Sequence, residues 1–222
     1  MPISNYKSII CLRPRDKTTD FLDSIGHLFG ESYFVIEDND YAHISTTSKL
    51  ETLQQPSLIV FLGHGDSSSL HSASSDRYRQ KNFITKEHSY LFSKHNALLL
   101  ACRSDQFISK ISGYQNIIGF GNIISSREEV AQEAEYTGEF RKIDDKDIEE
   151  FNQSYVCAIK NTLELLLSGK VKFSQVAGYI SFFINKRINL ILKNKSYDNR
   201  KEVARLLFEF RNEIKHLKGG QP

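Results

Sequence analysis

Two uninterrupted apolar runs, each stopping abruptly at a polar turn, constrain this chain more than any other feature. Leu58-Ile59-Val60-Phe61-Leu62 ends at Gly63-His64-Gly65-Asp66, and Ala97-Leu98-Leu99-Leu100 ends at Ala101-Cys102, followed by Arg103-Ser104-Asp105-Gln106. Short apolar runs bounded by turn residues read as buried strands. In an open α/β sheet, ligands and chemistry gather beyond the carboxyl ends of parallel strands. One run therefore carries an imidazole to that rim and the other carries a thiol.

The pattern around these runs alternates. Further strands are expected at 8–12, where Arg13-Pro14-Arg15 stops pairing, at 33–36 and at 116–120, with helical spacing at 19–29, 48–54 and 90–94. Strands separated by helical segments need crossover connections, so the fold class is α/β with a mainly parallel sheet flanked by helices. Residues 67–80 are rich in serine and charge and read as a loop without apolar anchors. From Glu128 to Glu150 ten carboxylates face only Arg141, Lys142 and Lys146, which suggests an exposed connection. Three apolar stripes follow: one from Val156 to Leu167, one from Val176 to Ile191, and one from Val203 through Phe210 and Ile214 to Leu217, read as helices. The expected organisation is an α/β catalytic core over 1–127, a charged connection over 128–150, and a helical portion over 151–222 packed on or beside the core.

The bulk numbers exclude several classes. A chain of 222 residues with 40% hydrophobic and 25% charged residues suits one substantial core. A formal charge of +2 gives no global signal for nucleic acid. Three scattered cysteines argue against a disulfide framework and for a reducing compartment. The start of the chain has no signal-peptide core, and the most hydrophobic helical stretch is interrupted by Lys186 and Arg187, so a cytoplasmic protein without a membrane span is expected. His88 and His95 have no partners at zinc spacing, and Gly119-Phe120-Gly121-Asn122 lacks the lysine of a phosphate loop. No metal and no cofactor are expected.

A histidine after a strand is often only a turn residue, and a cysteine beside an apolar strand is usually packing. The packing reading suits Cys11 and Cys157. Cys102 differs because the polar run begins immediately after it, which sets the sulfur at the rim. His64 lies between two glycines, and Gly65 allows close approach of a substrate to the backbone. A thiol beside an imidazole is the minimal apparatus for nucleophilic acyl transfer, the histidine favouring the thiolate.

The order apolar strand, His64-Gly65, spacer, apolar strand, Ala101-Cys102 resembles the caspase-like cysteine peptidases, the group of caspases, legumains, gingipains and separases. Within it the bacterial CHAT-type proteases are most similar, and Ile117-Ile118-Gly119-Phe120 also looks like their next strand. The resemblance covers about residues 6–125. It departs after the cysteine, where CHAT proteins often carry Ser-Gly-rich residues, and it does not extend to the terminal helices. It implies a caspase-like sheet with Cys102 as nucleophile, His64 as base, and the amides of Gly65 and Cys102 as the oxyanion hole. For the substrate pocket it nominates Arg13 or Arg15 if cleavage follows aspartate, and Asp66 or Asp105 if it follows arginine or lysine. The acids flank the dyad in sequence, which favours the basic preference. The resemblance further implies a protein substrate and an activating protein partner, as in bacterial antiviral defence or cell death.

Another class of function stays open. Residues 170–218 carry twelve Lys/Arg against four acids. This is first a solvated face, but it could also dock an acidic partner, making the chain a catalytically silent caspase-like scaffold. A different Cys/His acyl transferase would be expected to carry a Gly-x-Ser/Cys-x-Gly elbow, which is absent.

Overall fold

A computed structural model describes residues 6–137 and 142–219. The chain runs through β1 (Ser8–Pro14), short helical turns over 17–32 that contain α1 (Asp23–Gly26), β2 (Tyr33–Ile36), α2 (Asp40–Glu51), β3 (Ser57–Leu62), β4 (Ser69–His71) and β5 (Asn82–Thr85). It continues through β6 (Asn96–Leu100), α3 (Ser104–Phe107), β7 (Asn116–Gly119), α4 (Arg127–Thr137), α5 (Asp145–Leu167), α6 (Val176–Lys193), α7 (Arg200–Asn212) and β8 (Lys215–Lys218). Six strands form one sheet in the order β2-β1-β3-β6-β7-β8, and β4 and β5 form a separate hairpin. Every pairing in the large sheet is parallel except that of β7 with β8. No helix among the described residues is long and apolar enough to cross a membrane.

The all-apolar strands are explained by helices on both faces of the sheet. Side chains alternate across a strand. Leu58, Val60 and Leu62 of β3 join Leu98 and Leu100 of β6 in one core, beneath α5, α6 and α7. Ile59 and Phe61 join Ala97, Leu99 and Ala101 in the other, beneath α2 and α3. The register pairs Leu62 with Leu100, so β3 and β6 end level with each other. The ladder persists one step further, with Gly63 N donating to Leu100 O at 3.1 Å. His64 and Cys102 therefore emerge from neighbouring strands at the same rim.

Several segments differ from the sequence reading. The helix expected at 48–54 starts earlier, as α2 from Asp40, and ends at Glu51, and β1 runs on to Pro14. The expected loop at 67–80 contains β4, and Leu70 and Ala73 are fully buried, so the segment has apolar anchors after all. The acidic connection is largely helical, because its carboxylates cap helices. Asp144 and Asp147 form the capping box of α5, and Asp147 also accepts from Tyr197 Oη at 2.6 Å. The part of that connection at 138–141 lies outside the described residues. The last stripe ends as a helix at Asn212, and Leu217 belongs to β8, where it pairs with Ile117. Helical spacing continues numerically to Leu217, but the open edge of β7 offers a full row of backbone partners.

Gly119 sits where β7 passes beneath α3. A Cβ there would lie 2.6 Å from Ser104 O and 2.7 Å from Asp105 N, both backbone atoms. Gly119→Ala should therefore lower the unfolding free energy by about 1–3 kcal/mol, the usual range for overpacking. Urea denaturation reads this directly, and an unchanged midpoint would contradict the close packing described.

Candidate active site

The first strand of the sheet has β2 on one side and β3 on the other, which makes the gap between β1 and β3 a topological switch point. Residues after β1 and after β3 meet there. Asp16 caps the turn that begins at Lys17, accepting from Thr18 N at 2.9 Å and from Thr18 Oγ1 at 2.6 Å. Thr18 Oγ1 lies 2.7 Å from His64 Nε2, and Asp16 Oδ2 lies 3.7 Å from the same nitrogen. The hydroxyl hydrogen of Thr18 is already given to Asp16, so its oxygen accepts from His64 and Nε2 carries the ring proton. Nδ1 is left as the basic nitrogen, and it makes no hydrogen bond among the described residues. Burial pushes the Asp16 carboxyl up, but the hydrogen bonds from His64 and Thr18 outweigh it and hold the group at about 2. The result is a relay of carboxylate, hydroxyl and imidazole that fixes the tautomer.

The backbone of His64 is equally fixed. His71 N donates to His64 O at 3.0 Å, which attaches the β4–β5 hairpin to this turn. Gly65 follows because little else fits: a Cβ would stand 3.0 Å from Ala101 Cβ and 3.0 Å from Ser69 O. The His-Gly and Ala-Cys pairs thus touch through a missing side chain.

Cys102 occupies a tight turn between β6 and α3. Arg103 takes the left-handed conformation at φ 54°, a position where a side chain costs energy. The turn is locked by Arg103 N to Gly121 O at 2.8 Å, Ser104 N to Ala101 O at 3.2 Å and Ser104 Oγ to Leu99 O at 2.7 Å. The sulfur donates to Asn122 Oδ1 at 3.1 Å. Burial is the largest influence on this thiol and pushes it up. The Ile123 amide and Arg103 pull it down, while Glu129 and Glu213 push it up, and the net direction is upward.

His64, Gly65 and Cys102 line one cleft of about 790 Å³. Neither the Gly65 nor the Cys102 amide donates to a protein acceptor among the described residues. Such amides at the rim could receive a developing oxyanion. Four carboxylates, from Asp66, Asp105, Glu129 and Glu213, share the cleft with one guanidinium, that of Arg103. Among the described residues no group of three or more His, Cys, Asp or Glu side chains could hold a metal ion.

The four nominated pocket residues separate. Arg13 is buried away from the cleft, paired with Asp23 at 2.6 Å and Asp20 at 3.1 Å and donating to Tyr33 Oη at 2.8 Å. β1 extends to Pro14, so Arg13 lies within the ladder on the face shared with Cys11 and points under the helical turns rather than to the rim. Arg15 pairs at the surface with Glu37 at 2.7 Å and does not line the cleft. Asp66 does line it, but Oδ1 accepts from Ser68 N, Ser68 Oγ and Ser69 N, and Oδ2 lies 3.0 Å from His71 Nε2. Those bonds outweigh burial and hold its carboxyl well below the usual range. Asp105 is the opposite case: Oδ1 is enclosed without a partner, and burial pushes its carboxyl up. Sequence reading missed Asp16, Thr18 and Asn122. The available signal was a polar residue just past each of β1 and β7.

No protein-family model matches the sequence, and no curated protein is significantly similar to it.

Because the Asp16 carboxyl is depressed in the fold, it stabilises the protein above its ordinary value of 3.8, and that stability is lost as pH falls toward about 2. Asp16→Asn should therefore be less stable than the wild type at neutral pH, by up to about 2 kcal/mol. The gap should close on acidification, as read by denaturation midpoints across that range. A constant gap would mean the carboxylate is not the group titrating.

Proposed function

We propose that this chain is a caspase-like cysteine endopeptidase that hydrolyses peptide bonds in a protein substrate through a Cys102–His64 dyad. The observation that carries the reading is one imidazole and one thiol, delivered by adjacent parallel strands to one cleft, beside two backbone amides that have no protein acceptor among the described residues. In the proposed reaction His64 Nδ1 takes the Cys102 proton, Sγ bonds the scissile carbonyl carbon, and the carbonyl pair moves to oxygen. The amides of Gly65 and Cys102 donate to that oxyanion. Collapse breaks the C–N bond as the imidazolium gives its proton to the leaving amine, and a thioester remains. Water then attacks with His64 again as base, releasing the carboxylic acid and restoring the thiol. Thr18 and Asp16 keep Nε2 protonated throughout.

The substrate residue before the cut is basic in this reading. The cleft has a surplus of carboxylates, and Asp105 holds a buried oxygen without a partner. An arginine or lysine side chain would supply the missing cation, whereas an aspartate would add to the surplus. Asp66 serves its own turn instead. A protein partner fits the C-terminal helices, where Phe182, Leu190, Leu192 and Phe208 are exposed among the basic residues. Partner-triggered proteolysis of this kind suits a bacterial defence or cell-death system. The alternative, a silent scaffold holding its partner on the same helices, draws on the burial that pushes the Cys102 thiol up.

A thiol-reactive peptidyl probe with a basic terminal residue should label the wild type at Cys102, and His64→Ala should label far more slowly. Cys102→Ala should neither label there nor cleave while keeping its fold; cleavage by that variant at the wild-type rate would sink the assignment. Asp105→Asn should lower kcat/KM on basic substrates by about 10–150-fold, the range for hydrogen bonds to charged groups. Asp16→Asn should lower kcat by about 10²-fold or more, as loss of an oriented base does.

A further inference from the structure

Among the described residues, Asn122 is the one side chain hydrogen-bonded to the Cys102 sulfur, at 3.1 Å from Sγ to Oδ1. Its own position leaves little freedom. On one side, the backbone of 120–121 accepts from the nucleophile's turn, with Arg103 N to Gly121 O at 2.8 Å and Asp105 N to Phe120 O at 2.9 Å. On the other, Asn122 N donates to Glu213 Oε2 at 2.8 Å. Glu213 comes this close because residue 121 is glycine: a Cβ there would lie 2.4 Å from Glu213 Cβ. Glu213 is itself placed by its neighbours, since it joins α7 to β8. Phe210 stacks on Phe120 at 5.4 Å, and β8 is zipped onto β7.

We propose that Asn122 is a positioning residue for the nucleophile: its carboxamide oxygen, clamped through Glu213, accepts the S–H of Cys102 and keeps the sulfur protonated until the 121–123 segment shifts. A hydrogen bond to the neutral form of an acid disfavours ionisation. The proton that Oδ1 holds is the one His64 Nδ1 must take, so carboxamide and imidazole compete for it. The charged groups facing the thiol are Glu129 from α4, Glu213 from the α7–β8 connection, Arg103 from its own turn and, lining the same cleft, His64, Asp66, His71 and Asp105. Two of the three groups that act on it electrostatically are anions, and they act in the same direction as Asn122. The C-terminal portion thereby acquires a role in the chemistry: it sets the clamp, and moving it would release the thiol.

The proposal rests on Cys102 being the nucleophile proposed above, but its test reads the thiol itself. Full-length protein carrying Cys157→Ser, which removes the exposed cysteine and leaves Cys11 buried, is alkylated with iodoacetamide over a pH series, with the modified residue mapped by mass spectrometry. Asn122→Ala should move the midpoint of the profile down by about one pH unit, which is about tenfold in thiolate fraction at neutral pH, the size of one ordinary hydrogen bond. Asn122→Asp, which keeps the acceptor and adds a charge, should move it up. A midpoint that stays or rises in Asn122→Ala overturns the proposal, because the carboxamide would then be neutral toward the thiolate or support it. Should Asn122→Ala not fold, Asn122→Leu decides: it keeps nearly the same volume, leaves every charge around the thiol in place and removes the acceptor, so it should move the midpoint down by a similar step, and no downward shift overturns the proposal. These outcomes are separate from the peptidyl-probe result. Alkylation profiles can fail to shift in an active peptidase, and they can shift in a chain that cleaves nothing.

Discussion

The parallel pairing of β3 with β6 is the constraint on which the rest of this structure depends. Its register, Leu62 opposite Leu100, ends both strands at one level and so brings His64 and Cys102 to one rim. That pairing holds because both faces of both strands are buried, which forbids a slip by one residue. Such a slip would carry Leu58, Val60 and Leu62 from the core under α5 to α7 into the core under α2, and would separate the imidazole from the thiol in the same movement. The placement of His64 and Cys102 at one rim is therefore specified by hydrophobic packing rather than by polar contacts. The polar contacts then refine it: Thr18 and Asp16 fix the ring, and the Arg103 turn fixes the sulfur.

This division explains what could be read from the sequence. Apolar runs with abrupt ends are local, so the two strands, their parallel arrangement and the rim positions of His64 and Cys102 were legible. Contacts between distant segments were not. Thr18 meets His64 across 46 residues, and Glu213 meets Asn122 across 91. Arg13 was misplaced for a different reason. Pro14 reads as a strand terminator, but β1 continues through it because its pairing with β3 has already ended at Leu12, so no partner on that side needs the missing N–H. With the strand two residues longer, alternation turns Arg13 inward. Leu70 was overlooked because a single apolar residue in a serine-rich run gives no periodicity. Its anchor comes from the bridge that pairs it with Gly65.

The cleft's carboxylates show why sequence proximity is a poor guide to electrostatic role. Asp66 and Asp105 each follow a rim residue closely, yet their surroundings push them apart. Asp66 is saturated with donors and stays ionised as part of a turn. Asp105 is enclosed and undersupplied, with its carboxyl pushed up. A cationic ligand gains little from an anion whose lone pairs are already used and much from one that is short of donors. Of the two carboxyl groups, only that of Asp105 is short of donors.

The C-terminal helices are connected to Cys102 by packing. Their apolar stripes are continuous with the sheet's core, through Tyr155 and Phe210 against Phe120, so they are not an appendage that can move without consequence. Any displacement of α7 must be accommodated by β8, by Glu213 or by Phe120, and each of these adjoins the turn that carries Cys102. Packed interiors yield by switching between discrete arrangements rather than by deforming continuously. A partner seated on the exposed aromatic and basic face of α6 and α7 would thus act on the thiol through a short chain of rigid contacts. The energy required is modest: disrupting one amide-to-carboxylate hydrogen bond and one S–H contact costs about 2–4 kcal/mol, within what a few well-packed interface residues supply.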